Sequence, residues 1–464
     1  MPESETFLFL SFNDDGGVNE TLNGSAERLS TRLEILSQLC EATTSDEIKA
    51  ERKKSNFIDF AKRMPLNLTY CDILLRQKAA CRRFLLEGQI DTVIVCEDGP
   101  GGCSALISVA QDMGKLVADM PFGIGEMHDY EMYLENRAEE NSLNLVSEDK
   151  IGAALRKYAP KWILPSAHGD LTLFASEFVL ARIAVGLDLP EPWVVHGGTS
   201  DVMFAESEAM EHIYQRENVP AEKRVMTGSC YADVVYDEIF KDEALKRAYE
   251  TASLIDPDNP KILVALPPSY HGERKAEFET YQETVELLLS GCKEAHPRAH
   301  ITVSVHPATD DATRQIVSDL ADEVSDEWLL KLIAKTDAFI PVFSSTIRWA
   351  LMAKKPIVNY DLYQFGFLTY DKSTPVFTTK QLKVAMENLK GILASPESYH
   401  LAALDVSKCS AEWGMMDGQN FERIWQTFQG HRKLKQNHRK LKKEAADKMS
   451  LAKLALSLFK KARD

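Results

Sequence analysis

The chain has 464 residues, 44% of them hydrophobic, and a formal net charge of −16. This length gives room for two or three domains with sizeable cores, and the strong negative charge argues against a general nucleic-acid-binding protein. The charge is unevenly distributed, because residues 431–464 contain 12 Lys and Arg against 3 Asp and Glu. An acidic body with a basic tail is therefore the first feature of the organisation.

The cysteines have no spacing typical of metal ligands, and several of them lie within apolar runs. In a chain of this length they indicate reduced, partly buried thiols in a cytosolic protein. The N-terminal segment lacks the basic region of a signal peptide, and no apolar run approaches the roughly 18 residues that span a membrane. We therefore expect a cytoplasmic chain without a membrane-spanning helix.

Short β-rich apolar runs alternate with segments of helical periodicity through most of the chain. This pattern predicts the α/β class, with parallel sheets covered by helices on both faces. In the first half we predict strands at residues 6–12, 91–96, 115–120, 161–167, 192–197 and 224–229. Two prolines and two aspartates within residues 253–260 then predict a linker.

A second alternating series follows the predicted linker. Its predicted strands are residues 261–268, 300–307, 338–343 and 356–361, and its helices lie near 275–294, near 310–322 and from 346 onwards. The fold prediction is therefore two Rossmann-like domains that face a central cleft. Ligands of open parallel sheets bind beyond the carboxyl ends of the strands, so polar residues at those ends are candidates for a site.

Three hydroxyl residues, Ser344, Ser345 and Thr346, lie between the end of a predicted hydrophobic strand and the start of a predicted helix. The exposed N–H groups and positive dipole of a helix start favour phosphate, and Arg348 one turn later adds a charge. The alternative is a well-capped helix, since one Ser or Thr suffices as an N-cap.

Further polar residues follow two other strands of the second half. His306 ends the strand before the hydroxyl turn, and a basic loop follows the first strand. Such a loop, with a flexible glycine and two cations, suits a diphosphate, whereas the alternatives are a structural histidine and a solvated loop. The polar residues of the loop are Ser269, Tyr270, His271, Arg274 and Lys275.

Acidic, glycine-rich loops follow two predicted strands of the first half. Asp14 and Asp15 come after the first strand, and Glu97 and Asp98 come after the second. A carboxylate at such a place can act as a general base. The alternative is a pair of tight turns with solvated acids.

Two histidines also end predicted strands of the first half. His168 lies two residues before Asp170, and His196 lies five residues before Asp201. A histidine beside a carboxylate can form an acid/base pair, and the alternative for each is a structural role.

The basic tail, residues 431–464, contains an apolar stripe with Leu451, Leu454 and Leu458, flanked by lysines. A basic amphipathic helix of this kind predicts attachment to an anionic membrane surface. The alternative is packing against another subunit or against the acidic body.

The second half resembles the donor-binding half of GT-B fold glycosyltransferases. The resemblance rests on "HP" after a strand, then "SSTIRWALMAKKPIVNYD", then "DGQNFERIWQ" (417–426), together with residues 201–237, which resemble the segment that closes the first domain. It is nearest to CDP-glycerol glycerophosphotransferases and to capsule and lipopolysaccharide transferases, with nucleotide-sugar 2-epimerases as relatives. It covers roughly residues 192–430.

This resemblance implies roles for the residues singled out above. The donor-binding set becomes Ser269, Tyr270, His271, Arg274, Lys275, His306, Ser344, Ser345, Thr346 and Arg348. The general base that deprotonates an acceptor hydroxyl would be one of Asp14, Asp15, Glu97, Asp98 and His168. Two features depart from the relatives. "RWALMAKK" replaces the usual ribose-binding acid, and "PSYHGER" replaces a Thr-Trp-Arg-like loop, so the donor is left unassigned.

The resemblance also implies an organisation into domains. The expected parts are an acceptor-side Rossmann-like domain (1–252), the linker (253–260), a nucleotide-sugar donor domain (261–410), a helix returning to the first domain (411–430) and the basic amphipathic tail (431–464). The returning helix would begin at Asp417 and Gly418.

The expected activity is transfer of a sugar, or a polyol phosphate, from a nucleotide-activated donor to a cell-surface polysaccharide or its lipid-linked precursor. The protein would work at the inner face of the membrane, without nucleic acid. Because GT-B transferases need no bound metal and the nucleotide-sugar is a substrate, we expect neither metal nor cofactor. The alternatives are a nucleotide-sugar 2-epimerase-like enzyme, which needs no acceptor, and a non-catalytic GT-B scaffold in polysaccharide assembly.

Overall fold

Two parallel β-sheets, one from each half of the chain, organise this computed structural model. It describes residues 7–10, 38–101, 103–121, 123–128, 130–131, 134, 144–271, 274–306, 308–342, 344–366, 369–370, 374–435 and 437. The predicted bases Asp14 and Asp15, and tail residues 436 and 438–464, therefore lie outside the described residues.

The first sheet has five strands in the order β1-β2-β3-β6-β7, and neighbouring strands are parallel throughout. Its strands are β1 (Phe7–Leu10), β2 (Thr92–Val95), β3 (Leu116–Asp119), β6 (Val202–Ala205) and β7 (Arg224–Met226). A separate antiparallel hairpin is formed by β4 (Leu164–Ser166) and β5 (Gly169–Leu171).

The second sheet has six strands in the order β10-β9-β8-β11-β12-β13, again all parallel. Its strands are β8 (Lys261–Ala265), β9 (His300–Ser304), β10 (Glu323–Val324), β11 (Ala338–Pro341), β12 (Ile357–Tyr360) and β13 (Val376–Thr379). The predicted α/β class with two Rossmann-like parallel sheets is thus confirmed.

Helices connect the strands and cover the sheets. In the first half they are α1 (Ser45–Lys54), α2 (Phe57–Ala61), α3 (Leu68–Glu87), α4 (Ser104–Asp112), α5 (Lys150–Tyr158), α6 (Ser176–Ala184), α7 (Glu208–Arg216), α8 (Cys230–Lys241) and α9 (Glu243–Thr251). In the second half they are α10 (Tyr281–Ala295), α11 (Asp311–Leu320), α12 (Leu329–Ala334), α13 (Ile347–Met352), α14 (Leu382–Ile392) and α15 (Pro396–Trp413). Residues 420–435 are also helical.

Side-chain caps begin several of these helices. Thr44 and Glu47 form a capping box at α1, and Asn67, Ser229 and Asp310 each accept backbone N–H groups at the start of α3, α8 and α11. Each cap satisfies a donor that the helix itself leaves without a partner. The helix starts are therefore encoded locally.

The predicted strand at 192–197 is wrong, because these residues form a buried loop. The backbone carbonyl of Val195 accepts a hydrogen bond from the N–H of Gly99 instead of joining a strand ladder, and Gly198 turns the chain at φ +70°. Burial gives such a loop the same apolar composition as a buried strand, which is why the pattern misled. The strand between β3 and β7 is β6, which is not among the strands predicted from the apolar pattern.

The predicted parallel strand at 161–167 is also wrong. Pro160–Trp162 form a 3₁₀ turn, and Leu164–Ser166 pair antiparallel with Gly169–Leu171 outside the main sheet. The hydroxyl of Ser166 accepts the N–H of His168 and donates to the carbonyl of Gly169, which closes the tight turn between the two strands.

A continuous apolar core joins the two halves. It includes Phe204 on β6, Tyr231 on α8, Phe339 on β11 and Trp349 on α13, all nearly fully buried. The rings of Tyr231 and Trp349 lie 5.3 Å apart between centroids. The two sheets are therefore held together by packed side chains, which fixes how their carboxyl ends meet.

Candidate functional site

The carboxyl ends of the two sheets face each other. Glu206 directly follows β6 of the first sheet, and Arg348 lies in α13, just beyond β11 of the second sheet. Their side chains form an ion pair at 2.8 Å, with 2% of Arg348 and 6% of Glu206 exposed. The residues that follow the strands of both sheets therefore converge on one region, where open parallel sheets bind ligands.

A buried histidine–aspartate pair lies on the first-sheet side of this region. Nδ1 of His196 is 2.6 Å from Oδ2 of Asp119, and the two side chains are 3% and 0% exposed. We assign the shared proton to Nδ1, because the carboxylate can then accept it. Nε2 lies 3.4 Å from the carbonyl oxygen of Gly123. The arrangement fixes the ring: Nδ1–H donates to Asp119, and in the protonated ring Nε2–H donates to the carbonyl of Gly123.

Asp98 holds the loop that carries His196. Its two carboxylate oxygens accept the N–H groups of Gly198, at 3.2 Å, and of Ser200, at 2.6 Å. The backbone beside it is tightly packed, since a Cβ on Gly99 would lie 2.1 Å from the carbonyl oxygen of Val194. Asp98 was predicted as a general base, but both of its oxygens are engaged with the backbone, so it positions the loop.

Negative charge dominates the surroundings of the pair. Burial alone would lower the pKa of His196, but the carboxylates of Asp119, Asp98 and Glu206 outweigh it and raise the pKa above its ordinary value. Burial raises the pKa of Asp119 as well, opposed by His196. The imidazole is therefore more basic than a free histidine.

A small cavity borders the histidine. It is lined by His196 and Tyr214 together with Ile124, Gly125, Val194 and Val219. The hydroxyl of Tyr214 donates to Oε2 of Glu206 at 2.8 Å, and its ring meets His196 edge-on with centroids 5.4 Å apart. An ion pair, a hydrogen bond and a ring contact thus connect Arg348 of the second half to the imidazole of His196.

One group of side chains in the described part of the chain has the geometry of metal ligands. Asp98, Asp119 and His196 each offer an atom, and these atoms lie within 4.8 Å of one another. The hydrogen bonds just described already engage both oxygens of Asp98 and join His196 to Asp119. The donor set therefore fits a proton-sharing pair better than a metal centre.

In the hydroxyl turn of the second half, residues 344–346, the described side-chain hydrogen bonds lie within the turn. The Oγ of Ser344 accepts both the N–H of Thr346, at 3.2 Å, and the Thr346 hydroxyl, at 2.9 Å. Ser345 is half-buried and Thr346 is buried. The following helix, α13, has only six residues, so its contribution as a helix dipole is small.

Arg348 does not lie open at this turn, as a donor-binding role requires. Its guanidinium is buried against Glu206 and lies 5.4 Å from the ring centre of Trp349. The donor-binding role of Arg348 stays a prediction, and in this structure the cation balances a carboxylate of the other half.

The loop after β8 packs against the loop after β12. The hydroxyl of Tyr363 accepts the N–H of Tyr270 at 3.0 Å and lies 3.0 Å from Nδ1 of His271. The guanidinium of Arg274 stacks over Phe365, 4.5 Å from its ring centre. The structure thus brings these predicted residues together, with Ser269 and Lys275 exposed beside them.

His306 also lies at this edge, directly beyond β9. It is half-buried, and its Nδ1 accepts the N–H of Ala308 at 3.1 Å. Burial lowers the pKa of His306, so the ring is predominantly neutral at pH 7 and its Nε2 can still make a hydrogen bond.

The remaining predicted bases are placed differently. His168 is exposed in the β4–β5 turn, outside the five-stranded sheet, and its predicted partner Asp170 pairs with Arg156 at 3.0 Å. The catalytic role of His168 stays a prediction, and its turn belongs to a hairpin separate from the five-stranded sheet. Glu97 stays beside the pair, where burial raises its pKa.

Three residues of the site were missed by sequence reasoning. Asp119, Glu206 and Tyr214 were not singled out, and Asp201, the expected partner of His196, instead accepts the N–H of Val117 and pairs with Lys435. A carboxylate at the end of an otherwise apolar strand, as in "KLVADM", was the available signal for Asp119.

Comparison with protein-family models and with curated proteins finds no match. Among solved structures, the chain is similar to UDP-GlcNAc 2-epimerase from Neisseria meningitidis, at 14% identity and TM-score 0.42, over 79% of this chain and 84% of that one. It is also similar to a putative UDP-N-acetylglucosamine 2-epimerase from Listeria monocytogenes. The identity is 12% and the TM-score 0.46, over 78% of this chain and 79% of that one. A third match is the wall teichoic acid polymerase TagF, with 11% identity and a TM-score of 0.44, over 77% of this chain and 74% of that one.

Two of these structures are named as UDP-N-acetylglucosamine 2-epimerases, a class that the sequence resemblance gives among the relatives. Within the described residues, no helix is both long and apolar enough to cross a membrane.

Proposed function

We propose that the protein is a transferase that moves a sugar, or a polyol phosphate, from a nucleotide-activated donor to an acceptor hydroxyl. One observation carries the proposal: the His196–Asp119 pair lies where the carboxyl ends of the two parallel sheets meet. Such a place can bring an acceptor on the first sheet against a donor on the second. The polysaccharide acceptor and the anionic membrane surface expected from the tail remain part of this proposal.

In the proposed reaction, His196 is the general base. Nε2 takes the proton of the acceptor hydroxyl as the oxygen attacks the donor, while Nδ1–H donates to Asp119 and stabilises the imidazolium that forms. The bond between the transferred group and the nucleotide phosphate breaks, and its electron pair stays with the departing phosphate.

The second sheet would bind the donor. The loop after β8 supplies the cations Arg274 and Lys275, and the hydroxyl turn and His306 supply hydrogen bonds at the same edge. Positive charge near the departing phosphate stabilises the charge that develops there. In this proposal the donor is a substrate, and the reaction requires no resident cofactor.

The first test is ligand-induced stabilisation. We expect one class among UDP-, GDP-, CMP- and CDP-linked ligands to raise the melting temperature, since a ligand at 100 times its Kd stabilises a protein by about 2.7 kcal/mol. Turnover of that ligand is then measured with and without added acceptor glycans. Turnover that needs no acceptor would instead support the epimerase-like alternative.

The second test addresses the base. His196→Gln should lower kcat by about 10²–10⁴-fold while the melting shift with the nucleotide stays. His212→Gln is the matched control, because His212 is exposed on α7. Wild-type turnover in His196→Gln would refute the assignment of the base, and absence of any nucleotide-induced shift in the wild type would refute the donor site.

A further inference from the structure

We propose that Glu206 and Arg348 are positioning residues, which orient His196 through Tyr214 and so couple the base to the docking of the second half. The inference rests on the proposed function for its catalytic consequence. The inference also predicts that the ion pair between the halves affects the titration of His196. That prediction can be tested without measuring turnover.

The first link is the ion pair. Nη2 of Arg348 lies 2.8 Å from Oε1 of Glu206, and both side chains are nearly fully buried. The two residues follow strands of different sheets, so this contact exists only while the halves are docked as they are here. Removing one member of a buried ion pair leaves an uncompensated buried charge. The free energy lost in this way is much larger than the stabilisation that the intact pair provides.

The second link uses the other oxygen of the same carboxylate. Oε2 of Glu206 accepts the hydroxyl of Tyr214 at 2.8 Å, while Oε1 faces Arg348. The carboxylate therefore bridges the two partners, and its orientation is set by both. Tyr214 is 2% exposed, so no bulk water competes for its hydroxyl.

The third link is the contact between two rings. The ring of Tyr214 meets the imidazole of His196 edge-on, at 5.4 Å between centroids and 76° between planes. His196 is then held by Asp119 from β3 and by Tyr214 from α7. Losing the tyrosine hydroxyl bond frees that ring to shift, and a misplacement of about 1 Å in a catalytic group costs up to roughly 100-fold in rate.

The same chain carries an electrostatic signal. The charged groups facing His196 are Asp119 at the end of β3, Asp98 and Glu97 after β2, and Glu206 after β6. Each carboxylate favours the imidazolium, so neutralising one of them makes His196 easier to deprotonate. Burial raises the pKa of Glu206, and Arg348, one step further from His196, opposes that rise.

Three variants separate position from charge. Glu206→Gln keeps the shape but removes the charge, Arg348→Met removes the cation that pairs with Glu206, and Tyr214→Phe removes only a hydroxyl. We expect all three to lower kcat, by about tenfold, with little change in the donor KM. We expect Glu206→Gln to lower the pKa of His196, Arg348→Met to shift it, and Tyr214→Phe to leave it near the wild-type value. Arg348→Lys should restore part of the activity, because it retains the charge.

The decisive measurement is NMR of ¹³C-histidine-labelled protein across a pH series, with the His196 signal assigned by its loss in His196→Gln. An unchanged His196 titration in both Glu206→Gln and Arg348→Met would overturn the proposal. This readout needs no substrate, so it stands even if no donor is ever turned over, and in that case only the proposed function fails. Variants with the shifted titration but wild-type kcat would refute the catalytic consequence.

Discussion

Asp233 is expected to fasten the segment after α15 to the first half of the molecule. Its Oδ1 accepts the backbone N–H and the side-chain amide of Asn420, at 3.1 and 2.6 Å, and its Oδ2 accepts the N–H of Phe421 at 2.7 Å. Residues 420–435 are helical, so these N–H groups lie at a helix start and have no partner within the helix. Asp233 lies in α8, 187 residues away from Asn420.

We expect Asp233→Ala to lower the free energy of unfolding by about 2–4 kcal/mol. A hydrogen bond to a charged group contributes about 1.5–3 kcal/mol, and an anion at a helix start about 0.3–1 kcal/mol. Three bonds would give more, but Asp233 is only half-buried and water replaces part of the loss. Asp233→Asn should lose about half as much, since the amide oxygen still accepts one N–H.

Urea unfolding followed by tryptophan fluorescence measures this loss, and hydrogen exchange of residues 420–428 shows whether the segment opens locally. Asp237→Ala on the same helix is the matched control. Its carboxylate pairs with Lys241 at 3.0 Å, and the two side chains are 58% and 68% exposed, so the change should be no more than about 0.5 kcal/mol. Equal stability and equal exchange in Asp233→Ala and the control would refute the reasoning.

Three further predictions concern the site and its support. Because carboxylates raise the pKa of His196, the base is protonated at neutral pH, and kcat/KM should rise with pH through a midpoint above about 6.5; a midpoint below that value would contradict it. Gly228 has φ +76°, and a Cβ there would lie 1.7 Å from Oδ1 of Asn420, so Gly228→Ala should cost at least about 1–3 kcal/mol in urea unfolding. Tyr363→Phe removes the acceptor of the Tyr270 N–H and should raise the donor KM in steady-state kinetics, whereas an unchanged KM would exclude that loop from the donor site.

Most of the second sheet could be predicted from local pattern alone. The runs around β8, β9, β11 and β12 are short, apolar and separated by segments of helical period, which is what strands buried on both faces of a parallel sheet require. The short edge strands β10 and β13 were missed. The pattern at 192–197 failed because burial, not secondary structure, makes that loop apolar.

The partners within the site could not be predicted from the sequence. His196 bonds to Asp119, 77 residues away, and not to the nearby Asp201. The pairing follows from the sheet order, in which β3 lies beside β6 and the loop before β6 returns over the end of β3. The sequence correctly indicated that His196 pairs with a carboxylate. It could not indicate which carboxylate, because the fold and not the sequence spacing decides which one lies near the histidine.

The fold also changes the role expected for the hydroxyl turn at Ser344–Thr346. Ser344 is engaged with Thr346, and Arg348 is neutralised by Glu206. Neither the short helix nor this arginine can then provide the positive charge that a diphosphate requires. In the proposed donor site that charge must come from Arg274 and Lys275 in the loop after β8, while the turn contributes hydrogen bonds. In the proposed donor site, the hydroxyl turn would position the donor and the basic loop would supply most of its affinity.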